Sequence, residues 1–156
     1  MVGIAQLVER LVVVQEVAGS SPVTHPNEIL KSRLLRRQSM PIEMSEEDFE
    51  ALVADELDAL PDEMMAGLEN VQFSVEDRPE DGSLSLFGLY HGIALTHREH
   101  YGFGELPDLI TIYRDPHLAH CDDVDELRDQ IHITLVHEIG HFYGMDDAQL
   151  HELGWG

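Results

Sequence analysis

Apolar residues at Val124, Leu127, Ile131, Leu135, Ile139 and Phe142 recur every three or four positions, the spacing of one continuous helix face. Asp122 or Asp123 can cap the start of this helix, and Glu126, three residues after Asp123, completes a capping-box signature. Gly144 stands where the helix should stop, since glycine enters the left-handed backbone region without a steric penalty. This stripe is the firmest element in the chain, and two histidines lie on the same helix.

On such a helix His137 and His141 are four residues apart and about 40° apart in projection, one turn above the other. Their imidazoles can converge on one ion. Glu138 is rotated about 100° from His137, too far for a natural third ligand but within reach of a metal-bound water. Two neutral nitrogens, an open position for water and a carboxylate to take its proton are the parts of metal-assisted hydrolysis. A third ligand is needed, and Asp147 stands three residues past the Gly144 turn, where it can fold back toward the histidines. Asp146, with Gln149 three residues on, fits the N-cap of a short terminal helix over "DAQLHELGW".

Upstream, Ser45 opens "SEEDFEALVADELDAL", with Asp48 three residues later and acids stacked in the first turn. Phe49, Leu52, Val53, Leu57 and Leu60 follow at helical spacing. Pro61 ends or restarts that helix, and "DEMMAGL" gives a further short turn. "VQFSVED" alternates as a half-buried strand, "LSLFGLYHG" reads as a second strand, and "LITIY" as a β-branched strand over Leu109–Tyr113. "RPEDGS" reads as a turn, "IALTHREHYGFGELPD" as a long loop and "RDPHLAHC" as irregular chain.

"HEIGHFYGMDD" matches the HExxHxxGxxD motif of zincin metallopeptidases whose third ligand is aspartate. The preceding "LFGLYHGIALTHREHYGFGELPDLITIYRDP" resembles the same region of the small bacterial family of minimal zincin-like domains, and the likeness covers roughly residues 45–156. The resemblance implies an α+β fold: a short mixed sheet packed on the active-site helix, with an N-terminal helix and a short C-terminal one. By motif position it implies His137, His141 and Asp147 as ligands of one Zn²⁺ and Glu138 as general base. Larger zincins with this glycine carry a methionine turn downstream as a floor for the metal. Here nine residues follow Asp147 and none is methionine, so Trp155 is the residue left to supply a floor.

The function expected is zinc-dependent peptide hydrolysis, with the substrate added as an extended strand along "LITIY" or "LSLFG". The alternative is a zinc-binding interaction or regulatory protein without physiological peptidase activity. A structural zinc site is weaker, because such sites usually close the position left open here. Of the other histidines, His91, His97, His100, His117 and His120 read as exposed loop or strand-end residues. His132 projects to another helix face, and His151 can approach the site from the terminal helix. The tyrosines Tyr90, Tyr101, Tyr113 and Tyr143 read as packing residues.

Charge narrows the partners. Residues 40–156 hold four arginines against 28 acids, a net charge of −24. That surface repels nucleic acid and anionic membranes and favours metal ions and basic peptides or unfolded segments. Cys121 is the only cysteine, so no internal disulfide forms, and a role for it is not expected. No apolar run reaches the roughly 18 residues of a membrane span, and "LVVV" is a poor secretory signal, so a cytoplasmic location is the default expectation.

Residues 1–39 differ in kind. Five basic residues against three acids give them a net charge of +2, and they hold the only lysine, Lys31. "AQLVERLVVVQEVAGSSPVTH" resembles the peptide read when a transfer-RNA gene is translated by mistake. Two units are therefore expected: a spurious or disordered extension over 1–39, and a zincin-like domain over 40–156 starting at Met40 or Met44.

Overall fold

The computed structural model describes residues 42–97 and 106–155. The expectation for residues 1–39 lies outside them, as do most of the "THREHYGFGE" loop, His100 and Tyr101. Helix α1 spans Glu46–Asp58, with the Ser45 hydroxyl accepting the Asp48 backbone N–H at 3.1 Å. It buries Phe49, Leu52 and Val53, and its first-turn acids Glu46, Glu47 and Asp48 are exposed. Pro61, which has no N–H to lose at a helix start, introduces the short helix α2, Asp62–Met65, and Met64 joins the core.

The sheet has three strands: β1 (Val71–Glu76), β2 (Gly88–His91) and β3 (Asp108–Tyr113). Their order is β1-β3-β2, with β3 parallel to β1 and antiparallel to β2. "LITIY" is therefore the central strand, hydrogen-bonded on both sides and closed to substrate. The strand expected over "LSLFGLYHG" is confined to its second half, and a 3₁₀ turn at Leu95–His97 interrupts the loop after it. Ile110 and Ile112 are fully buried, as a central strand of β-branched residues should be.

"RDPHLAHC" is not irregular. Arg114–His120 forms helix α3 directly from the end of β3. Its only sequence objection, Pro116, sits in the first turn, where the missing N–H has no intrahelical partner anyway. Helix α4, Val124–Phe142, then runs under α1 and the sheet. Asp123 accepts the Glu126 N–H at 2.8 Å, while the Glu126 carboxylate reaches one residue further back, to the Asp122 N–H. Leu127, Ile131, Leu135, Ile139 and Phe142 are fully buried, each contributing about 2 kcal/mol to stability. Val124, the first residue of the helix, is 45% exposed and lies outside the stripe. Arg128 ties α4 to α1 through Asp55 and Glu56, an exposed pairing that adds little.

Helix α5, Asp147–Glu152, folds back on α4. Its contact is close because Gly140 has no side chain: a Cβ there would stand 2.6 Å from a methyl of Leu150.

Candidate metal centre

Both α4 and α5 end in the same way. At the end of α4, Gly144 (φ +91°) donates its N–H to His141 O at 2.9 Å, and Met145 N–H reaches Gly140 O at 3.0 Å. At the end of α5, Gly154 (φ +83°) donates to His151 O at 3.1 Å, and Trp155 N–H reaches Leu150 O at 2.9 Å. These are two Schellman turns, the glycine-dependent ending in which a pair of bonds satisfies the last carbonyls of a helix.

In each turn the residue after the glycine presents its own carbonyl to a histidine of α4. Met145 O lies 2.9 Å from His141 Nδ1, and Trp155 O lies 2.6 Å from His137 Nδ1. A carbonyl only accepts, so each Nδ1 carries the proton and donates it. In a neutral ring, Nε2 is then left with its lone pair. The two Nε2 atoms are 3.0 Å apart, and Asp147 Oδ1 lies 3.2 Å from that of His141 and 3.5 Å from that of His137.

Among the described residues these three make the one group of at least three His, Cys, Asp or Glu able to hold a metal. The donor set fits zinc. Two imidazoles and one carboxylate suit it chemically, and ligand atoms on a tetrahedral zinc ion stand roughly 3.3 Å apart. Three acceptors face one another here, an arrangement that a cation relieves.

Asp147 is the first residue of α5, and its direction is set by its neighbour. Asp146 caps the helix, its side chain taking the Gln149 N–H at 2.9 Å while the Gln149 side chain takes the Asp146 N–H at 3.0 Å. The Asp147 side chain is 76% exposed, so the ligand cluster is open on that side.

Glu138 faces the sheet. It is buried, and Oε2 accepts the backbone N–H of Tyr90 at 2.8 Å. Burial pushes its carboxyl above the ordinary range, against the opposing pull of His137, His141 and the Tyr90 N–H. The approach of helix and strand depends on Gly88, where a Cβ would stand 2.9 Å from Glu138 Cγ and 2.7 Å from a methyl of Thr134. A glycine inside a strand is a recognised mark of such close approach, so this residue was open to discovery from "LFGLYHG". Tyr90 also acts through its hydroxyl, which donates to buried Asp108 at 3.0 Å.

Beside His137 and Glu138 lies a cavity of about 400 Å³, walled by Leu86, Phe87, Ile133, Thr134 and Trp155. His120 and His151 also line it; both are exposed, and neither belongs to the ligand group. Trp155 is 1% exposed and meets the site through its carbonyl. His132 pairs with Glu56 at 3.3 Å. Cys121 is buried, and burial pushes its thiol up to about 11, which keeps it protonated and inert. Tyr143 is a packing residue, its hydroxyl donating to Met64 O at 2.6 Å.

His117 corrects the reading of a surface loop histidine. It is fully buried in α3 between Phe49 and Phe87. Its Nδ1 donates to Tyr113 O at 2.7 Å, and its Nε2 lies 3.1 Å from the Thr134 hydroxyl. Burial lowers its pKa to about 4.

The zincin-like metallopeptidase family model matches residues 68–155, more than half the chain and all of the sheet, α4 and α5. The chain belongs to that family. No curated protein matches it. Membership makes a zinc-dependent hydrolase the class to which site and fold point, and no described helix is long and apolar enough to cross a membrane.

Proposed function

We propose that the protein is a zinc-dependent peptidase acting on peptides or unfolded protein segments, with one Zn²⁺ per chain held by His137, His141 and Asp147. The observation that carries this reading is the trio of acceptor atoms with both histidine Nδ1 protons committed to carbonyls. Zinc bound there supplies Lewis acidity toward a peptide carbonyl and lowers the pKa of water.

The chain's own residues do the rest. Glu138 takes the proton of the attacking water and delivers it to the leaving amine. Its Oε2 is held by the Tyr90 N–H, which leaves Oε1 for that transfer. A carboxyl raised by burial is a better proton acceptor near neutral pH than an exposed one.

The substrate lies along β2. Tyr113 N–H donates to Phe87 O, so antiparallel alternation turns the polar groups of Gly88 and Tyr90 away from β3. On that side the Tyr90 N–H is taken by Glu138, which sets the outer edge of β2 beside the general base. An extended peptide added there meets the general base. A basic peptide is favoured, because the described arginines Arg78, Arg114 and Arg128 are already paired with carboxylates and leave the acidic excess uncompensated.

Glu138→Gln tests the mechanism. Zinc content should stay at the wild-type level while cleavage of a quenched peptide library disappears. Cleavage at the wild-type rate by this variant would rule the mechanism out. Stoichiometric zinc in the wild type without chelator-sensitive turnover on any library would favour a zinc-binding regulatory role.

A further inference from the structure

The two Schellman turns share a feature that helix termination does not require: each aims the carbonyl of its post-glycine residue at a ligand histidine. We infer that the Gly154–Trp155 turn is a positioning device of the metal centre. Through its carbonyl, Trp155 fixes His137 as the Nδ1–H tautomer and points Nε2 at the ion, as Met145 does for His141. The inference rests on the reading of His137 and His141 as ligands.

Three observations combine. The Trp155 backbone is held against the end of α5, since its N–H is bound to Leu150 O and Gly154 takes a left-handed conformation, and its carbonyl stands 2.6 Å from His137 Nδ1. The side chain anchors the turn, since the indole is 1% exposed and lies 6.0 Å from the His132 ring. The bond itself is the shorter of the two, 2.6 Å against 2.9 Å. A histidine on a helix has two free torsions, and a fixed acceptor behind Nδ1 selects both ring orientation and tautomer.

Trp155 is a positioning residue and not a ligand, and what it contributes is a backbone atom. Its side chain can therefore be exchanged for another large apolar one without loss, whereas removing the anchor releases the carbonyl. This distinguishes the role from a metal floor, which would depend on the indole itself.

The test uses the intact apo-protein first. Two-bond ¹⁵N correlation spectra at about pH 9, where free histidine is neutral, should show both His137 and His141 with the proton on Nδ1. An Nε2–H signature or an averaging mixture at His137 overturns the inference. Zinc affinity is then measured by competition with a chromophoric chelator. Trp155→Phe should stay within about threefold of wild type, while Trp155→Gly should lose roughly 10-fold or more, the usual effect of losing an outer-sphere partner. A folded Trp155→Gly protein with wild-type affinity overturns the inference; if that variant fails to fold, the tautomer spectra decide. Neither readout involves peptide cleavage, so failure of the peptidase reading leaves the test intact. A wild type that binds no zinc removes the ligand reading while the tautomer still decides the geometry.

Discussion

Helix α4 takes part in two histidine sites that begin alike and end differently. His117, packed against the helix, and His137 and His141, on it, all give Nδ1–H to a backbone carbonyl. At His117 the Thr134 hydroxyl, whose proton goes to Gln130 O at 2.8 Å, stands 3.1 Å from Nε2. At His137 and His141 the remaining lone pairs meet each other and a carboxylate. The first site is closed, because both ring nitrogens have a polar neighbour within the protein, the ring is fully buried and the surroundings are aromatic. The second is left wanting a cation. Identical anchoring with different surroundings separates a histidine that holds the fold from a pair arranged so that it could hold a metal.

The sharpest way to break this contrast is Asp147→Ala. It should weaken zinc binding by more than roughly 100-fold, beyond the usual effect of losing an outer-sphere group, with little change in unfolding free energy of the apo-protein. Metal analysis and chelator competition read the result. Equal zinc loss from Asp146→Ala would undo the division between ligand and cap.

The next effect belongs to the closed site. The pKa of His117 is depressed in the fold, so the neutral form is favoured and the unfolded chain binds the proton more readily. Its contribution is fully present above about pH 6.5 and is lost as pH falls through about 4, amounting to about 3 kcal/mol. Urea denaturation at both ends of that window should show a shallower pH dependence for His117→Asn than for wild type. An unchanged slope would remove His117 from the account.

The two glycine turns give the third comparison. At Gly144 a Cβ would meet Thr96 Oγ1 at 2.3 Å as well as an unfavourable φ, whereas at Gly154 there is open space and φ alone opposes it. Gly154→Ala should therefore cost about 1 kcal/mol and Gly144→Ala more, roughly 2 kcal/mol, as thermal unfolding would show. Equal costs would mean that Thr96, which is exposed, simply moves aside. The smallest effect is Asp146→Ala, about 1 kcal/mol for a lost cap, with zinc affinity nearly preserved.

What could be read from the sequence follows the range of the interaction. The stripe from Leu127 to Phe142, the stop at Gly144 and the cap at Asp146 are decided by neighbours within four residues, and spacing reveals them. The proximity of His137, His141 and Asp147 follows from the same local geometry. The sheet order does not: β3 reaches back 37 residues to pair with β1 and back across a long loop to pair with β2, and nothing in "LITIY" announces that it is central. Helix α3 was hidden because "RDPHLAH" lacks a periodic apolar face and carries a proline. His117 was missed with it, since burial there comes from Phe49 and Phe87, far off in the chain. The carbonyls of Met145 and Trp155 had no signature at all, because a backbone acceptor has no residue identity; only the glycine before each gave a clue.

Helix α5 opens with Asp147 and its closing turn supplies the Trp155 carbonyl. A single run, 147–155, thus carries one candidate ligand at its start and the support of another at its end. For protein engineering that run is a cassette. Exchanging it, with Gly154 and a large apolar residue after it retained, would change candidate ligand and support together while leaving the sequences of the histidine helix and the sheet unaltered.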